Sequence, residues 1–345
     1  MIKFNQTNTF KVKNFEIGKP GTVFIIAEIG INHGGNFENC KKLIIAAAKS
    51  GANAVKIQTI DVNESYVKNS ASFKEFFGKN FDDEELYKLK KISEALGIIF
   101  FSTPGDFKSL RRIIKINLPL VKISSGLATN IPLIQEVARN KLPMIISTGM
   151  TYESEIEESI KAASKFGNKG LGILKCTSIY PAPDNSIHLK SMVRLKNKFN
   201  LPTGFSDHTI DDLATCTAVG LGASIIEKHF TLDKKLAGAD HRISMEPKSF
   251  EKMCLKIERV LKLLGSEEIK PNSYEIKVKN KFQRFVVAKK HILKNEKITR
   301  DNIVFKRCSP KKIGIKPKDF DKVVGKKIKK NVQADQPIRK SLMIK

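Results

Sequence analysis

Tryptophan is missing from this 345-residue chain, tyrosine occurs five times, and arginine supplies only 10 of its 62 basic residues. Cysteine is scarce too. Cys40, Cys176, Cys216, Cys254 and Cys308 are widely spaced, form no CxxC pair and are odd in number. That excludes a disulfide framework and a cysteine zinc site, and it suits a reducing cytoplasm. No apolar run approaches the roughly 20 residues of a transmembrane helix, and the opening MIKFNQTNTFKVKNF is too polar for a secretory signal. The expectation is a cytoplasmic protein with no membrane partner.

Lysine is what the chain has in excess. Formal net charge is +27, with +18 in residues 269–345 (24 basic, 6 acidic) and +9 in residues 1–268 (38 basic, 29 acidic). Base readout and bidentate phosphate contacts favour arginine, and no nucleic-acid motif is visible, so no nucleic-acid partner is expected. A basic surface would instead attract an anionic substrate. A 41% hydrophobic content and a mean hydropathy of −0.24 give enough apolar residues for a barrel-sized domain with a small appendage.

Eight short runs, apolar on both faces as buried parallel strands require, alternate with amphipathic segments. They are Val23–Glu28, Ala54–Gln58, Ile98–Ser102, Leu120–Ser124, Met144–Ser147, Gly172–Cys176, Thr203–Ser206 and Ser224–Lys228. Asp82 to Glu85 reads as a capping box ahead of a Leu86, Leu89, Ile92, Leu96 stripe that Gly97 stops. The pattern predicts an α/β fold, a (β/α)8 TIM barrel. The alternative, a doubly wound sheet, normally begins with a glycine-rich turn, whereas this first strand runs into Glu28-Ile-Gly-Ile-Asn-His-Gly-Gly35. The predicted domains are the barrel at 1–264, a polar linker at 265–283 and a small β-rich domain at 284–345, with extended pieces at Phe285–Ala288, Ile303–Phe305 and Val323–Gly325. The last domain is too small to hold a deep site alone.

Barrel active sites lie at the C-terminal ends of the strands, and every proposed strand here ends in polar residues. Lys56 and Gln58 are two apart and share a face, as do Glu227 and His229, and Ser206 and His208. His208 and His229, at the ends of neighbouring strands, suit a divalent transition ion; separately, each would pass as a hydrogen-bonded rim residue. Lys56 and Lys122, with Ser125-Gly126 and Ser147-Thr-Gly149, suit an anionic group. Pairing of the lysines with Glu28 and Glu227 is the alternative reading.

In this order, IIAEIGINHGGNF, GANAVKIQT, FFSTP, VKISSG, PMIISTGM, LKCTSIYPAP, GFSDHT and ASIIEKHFT resemble the sialic acid synthases, and the segment from about Arg284 resembles their antifreeze-like (SAF) domain. The resemblance implies condensation of phosphoenolpyruvate with an N-acetylated amino sugar and water, giving a nonulosonic acid and phosphate. It implies a Mn²⁺-type ion, Mg²⁺ or Co²⁺ being alternatives, on His208 and His229. Lys56, Thr103, Lys122, Ser125, Ser147, Ser178 and Ser206 match phosphoenolpyruvate contacts. Glu28 matches the candidate acid/base, while Gln58, Tyr180 and Asp240 match sugar contacts. The family forms a domain-swapped homodimer, in which Arg307 matches an arginine that reaches the N-acetyl group and Phe282 a phenylalanine that caps the sugar. Departures are Gly105 in place of a phenylalanine, Ser178 in place of an asparagine, and Gln283-Arg284 in place of paired arginines. The stretch Gly238–Pro247 resembles neuraminate and legionaminate members, so N-acetylneuraminate synthase is the first expectation and legionaminate or pseudaminate synthase the second. A metal-dependent pyruvate aldolase and a non-catalytic binding protein are the rivals.

Overall fold

A computed structural model describes residues 9–168, 170–309 and 314–344. The chain divides into two compact units, Met1–Gly265 and Ser266–Lys345. Among the described residues, no helix is long and apolar enough to cross a membrane.

The first unit opens with a hairpin, β1 (Phe10–Val12) and β2 (Phe15–Ile17). Eight strands follow: β3 (Phe24–Gly30), β4 (Ala54–Thr59), β5 (Ile99–Pro104), β6 (Val121–Ile123), β7 (Met144–Ser147), β8 (Leu171–Cys176), β9 (Thr203–Asp207) and β10 (Ile225–His229). They close into a parallel barrel in which β10 pairs with β3. The expected TIM barrel is therefore present, and each of the eight predicted runs is one of its strands.

Side chains alternate across each strand. Outward residues such as Ile25, Val55, Phe100, Ile123, Ile146 and Phe205 join one core with Leu43, Leu86, Leu133 and Ile160 of the surrounding helices. Inward residues Phe24, Ile26, Ala54, Ile99, Phe101, Leu120, Ile145, Leu174 and Ile225 form a second core inside the barrel. Phe10, Val12 and Ile17 of the hairpin join this inner core. A Cβ on Gly170, just before β8, would lie 2.3 Å from the Phe10 ring, so the hairpin closes the N-terminal end of the barrel. The opening segment, polar on average, hides this plug in an F-K-V, F-E-I alternation.

Two residues beyond that apolar layer the inward positions turn polar at one level. They are Glu28, Lys56, Thr103, Lys122, Ser147, Cys176, Ser206 and Glu227. This change across all eight strands places the chemistry at one end of the barrel.

The second unit corrects two expectations. Within the predicted linker, Ser273–Phe282 is a helix, because Asn272 accepts from Glu275 N and the Glu275 carboxylate accepts from Asn272 N. Val323–Gly325 is a turn rather than an extended piece. The remaining frame is an antiparallel pair, β11 (Arg284–Ala288) and β12 (Ile303–Arg307), over a core that includes Val286, Ile298, Phe320 and Ile338.

Candidate active site

The C-terminal strand ends open into a cavity of about 430 Å³. Glu28, Lys56, Gln58, Lys122, Ser125, Ser147, Ser178, Tyr180, Ser206, His208, His229 and Asp240 all line it. Thr103 accepts from Lys56 Nζ at 3.3 Å. A hollow of about 360 Å³ elsewhere on this unit, lined by Gly18–Thr22 and Leu201–Thr203, has Lys19 and Lys196 as its charged groups among the described residues. The chemistry belongs to the first cavity.

Its floor is a buried ion network. Lys56 Nζ lies 3.0 Å from Glu28 Oε2 and 3.2 Å from Glu227 Oε2, and Lys122 Nζ lies 3.6 Å from Glu227 Oε1. Lys122 also donates to Ser147 Oγ at 2.6 Å, and Ser206 Oγ donates to Glu227 Oε1 at 2.9 Å. Lys56 thus pairs with both glutamates and Lys122 with Glu227, the pairing that the alternative reading expects. Burial pushes the Glu28 carboxyl up to about 7, against the pull of Lys56. Burial works on Glu227 in the same sense, but Lys122 and Lys56 outweigh it and hold this carboxyl well below the usual range. Burial also draws Lys122 below the usual ammonium range despite Glu227. The result is two carboxyls in contact with one ammonium yet far apart in acidity, an arrangement suited to one proton-transfer group and one permanent anion.

A hydroxyl cradle adjoins the network. Gly149 N donates to Ser125 Oγ at 3.1 Å, and a Cβ on Gly149 would meet Ser178 Oγ at 2.4 Å and Ser125 Oγ at 2.7 Å. With Ser147 already on Lys122, three hydroxyls and one backbone N–H gather beside an ammonium. That is a donor-rich surface for an anion.

The imidazoles line the same cavity. The rings of His208 and His229 are 5.3 Å apart, and Tyr180 stacks on His208 at 4.1 Å. His208 Nδ1 sits 2.7 Å from Thr177 O; donation to that carbonyl leaves Nε2 with its lone pair. His229 Nδ1 is buried without a hydrogen bond and faces Asp240 Oδ2 at 3.7 Å. Burial lowers the His229 pKa to about 4, so this ring is neutral and able to ligate at physiological pH. Asp240, Glu28 and Gln58 converge above Gly30, where an added Cβ would lie 3.3, 3.4 and 3.6 Å from them. Among the described residues, no three His, Cys, Asp or Glu side chains close around one point. Against burial, the hydrogen bond and charge of Cys176 help raise the His208 pKa, while His229 is held neutral. As nitrogen donors the two adjacent rings fit a divalent ion, which would need further oxygen ligands.

Several lining residues lay outside the sequence-derived set. Glu227 shares the inward face of His229, as the two-residue repeat predicts, and its contacts with Lys56, Lys122 and Ser206 add it to the site. Cys176, Phe76 and Met150 also line the cavity. Cys176 follows the strand alternation, whereas Phe76 ends the short helix Ala71–Phe76 and Met150 lies in the turn after β7, neither of which carries a periodic signal. Phe282 and Arg307 belong to the second unit, where the Arg307 guanidinium lies 5.5 Å from the Phe282 ring centre. At Gly105 a Cβ would lie 2.8 Å from Ile60 Cγ1, so Ile60 and Ser65 occupy the space beside this position.

The NeuB family model matches residues 43–269, and the SAF domain model matches residues 283–342. The chain belongs to the NeuB family. It is 36% identical over 335 residues to N,N'-diacetyllegionaminic acid synthase of Legionella pneumophila, covering 92% of this chain and 93% of that one. It is 31% identical over 328 residues to pseudaminic acid synthase of Helicobacter pylori, covering 91% and 96%. A crystal structure of N-acetylneuraminic acid (sialic acid) synthetase from Leptospira borgpetersenii in complex with citrate superposes with a TM-score of 0.75 at 35% identity, over 79% of this chain and 97% of that one. This NeuB-family chain thus joins a barrel carrying the polar layer to a C-terminal SAF domain.

Proposed function

We propose that this chain is a nonulosonic acid synthase that joins phosphoenolpyruvate to the open-chain aldehyde of an N-acetylated amino sugar. The observation that carries the proposal is the single polar layer in which Lys56 and Lys122 stand beside two adjacent imidazoles and a buried carboxyl pushed up from the usual range. A divalent ion held by His208 and His229, Mn²⁺ first and Mg²⁺ or Co²⁺ otherwise, would supply Lewis-acid polarisation of the aldehyde. Lys56, Lys122 and the Ser125, Ser147, Ser178 and Ser206 hydroxyls hold the phosphoenolpyruvate anion. Its C3 bonds to the aldehyde carbon, water adds at C2, and the C2–O bond to phosphate breaks. Glu28 holds or moves the proton at the aldehyde oxygen or the attacking water, and Gln58, Tyr180 and Asp240 orient the sugar.

N-acetylmannosamine, yielding N-acetylneuraminate, is the first substrate on the Gly238–Pro247 resemblance. The second reading, a diacetamido trideoxyhexose, rests on the 36% identity to the diacetyllegionaminic acid synthase. The sparse cysteines support a cytoplasmic location, and the family resemblance supports a domain-swapped homodimer in which Arg307, and Phe282 just ahead of the SAF domain, serve the other copy's barrel. A phosphate-release assay with phosphoenolpyruvate against these sugars tests the proposal: release with none of them overturns it.

A further inference from the structure

Directly behind the two imidazoles, on the outer face of the barrel, lies a second buried ion pair. Asp207 precedes His208 on β9, and Lys228 precedes His229 on β10. Asp207 and Lys228 are register partners. Both side chains are fully withdrawn from water, with Lys228 Nζ 2.9 Å from Asp207 Oδ2. Other strands of the barrel fill this face with residues such as Ala27, Ile57, Ile123 and Ile146. Here a charge pair replaces the hydrocarbon.

Its hydrogen bonds tie both strand ends together. Asp207 Oδ1 accepts from Thr209 N at 2.8 Å and Thr209 Oγ1 at 2.7 Å, and Oδ2 accepts from Thr215 Oγ1 at 2.6 Å. Lys228 donates across to Thr209 O at 2.6 Å and Asp211 O at 2.9 Å. The β10 ammonium thus holds the loop that leaves β9 just after His208, and the β9 carboxylate holds both the ammonium and Thr215 of the helix Leu213–Gly220. A well-packed apolar pair generally serves stability as well as a buried ion pair does. Stability alone therefore gives little reason for charges here, whereas fixing two adjacent strand ends against each other gives a specific one.

We infer that Asp207 and Lys228 are positioning residues that set the spacing and orientation of His208 and His229 as a pair of metal ligands. This rests on the proposed metal reading, and the test separates the two. Asp207→Asn keeps the side-chain shape, and Thr215→Val removes one hydrogen bond to the carboxylate without touching either strand end. Mn²⁺ binding to the purified full chain is measured by titration calorimetry, with His229→Ala as the reference and melting temperatures recorded on the same preparations. Metal affinity should fall on the order of 10-fold in Asp207→Asn, as removal of supporting groups around ligating histidines does, and by a smaller factor in Thr215→Val. A lowered melting temperature with affinity within twofold of the wild type in both variants overturns the inference.

Imidazole ¹⁵N spectra of the metal-free protein give a readout that needs no metal. In both variants the His208 and His229 signals should shift or broaden while those of His33 and His241 stay fixed. If the wild type binds no Mn²⁺, or His229→Ala binds it equally well, the metal reading fails and these spectra decide the positioning role alone. Unchanged His208 and His229 signals then overturn it.

Discussion

Gly149 and Ser178 leave no room between them: a methyl group on Gly149 would sit 2.4 Å from Ser178 Oγ, and 2.7 Å from Ser125 Oγ. Both hydroxyls end short side chains that can rotate, and Ser125, whose Cβ would lie at 3.1 Å, need give only by a few tenths of an ångström. Gly149→Ala should therefore cost little stability while displacing two donors from the cradle. We expect a melting temperature close to wild type and a phosphoenolpyruvate KM raised on the order of 10-fold, since displacements of about 1 Å at a reacting centre are expensive. A large loss of stability with an unchanged KM would place the two hydroxyls outside the anion site.

Lys122 gives the matching charge test. Its ammonium holds Ser147 Oγ and faces Glu227. Lys122→Met removes a hydrogen bond to a charged group worth about 1.5–3 kcal/mol, so KM for phosphoenolpyruvate should rise about 10–100-fold while that for the sugar changes little. Steady-state kinetics with each substrate varied in turn checks this. An effect on the sugar alone would reverse the assignment.

Glu28 supplies a pH dependence of definite sign. Its carboxyl is raised from an ordinary 4.5 to about 7 in the folded protein. The stability it contributes is thus fully present below pH 4.5 and is lost as pH rises through about 7. Glu28→Gln cannot titrate. Its melting temperature relative to wild type should climb between these two values and stay level above them. The kcat/KM profile of the variant should also lack an inflection near pH 7 that the wild type shows.

The swapped-dimer proposal is tested by mixing. Arg307→Ala and His208→Ala chains are each expected to be nearly inactive on N-acetylated sugars. Under subunit exchange verified by mass, heterodimers should regain activity, because one composite site then keeps both groups. No recovery would mean that Arg307 serves its own barrel or none.

Much of this was legible in the residues. The strands announced themselves through β-branched runs apolar on both faces, and their polar ends through a change of character at a fixed inward position. The pairs Lys56 and Gln58, Ser206 and His208, and Glu227 and His229 followed from a two-residue repeat. The hairpin did not, because each of its strands is three residues long and its charged residues, Lys11 and Glu16, mask the buried Phe10, Val12 and Ile17. The helix Ser273–Phe282 lacked an apolar stripe, and only its Asn272 and Glu275 capping box marked it. The partition of charge between Glu28 and Glu227 depends on distances to two lysines from other strands, which a linear sequence does not contain.

In the proposed reaction phosphoenolpyruvate loses its phosphate by C–O cleavage as it joins an amino sugar. The direct measurement uses phosphoenolpyruvate labelled with ¹⁸O at the bridging oxygen, incubated with Mn²⁺ and N-acetylmannosamine or a diacetamido trideoxyhexose, with products read by mass. That reaction yields labelled inorganic phosphate in equal amount to a nine-carbon 2-keto acid, and neither product without the sugar. Unlabelled phosphate, or condensation that proceeds from free pyruvate with no phosphate released, would contradict it.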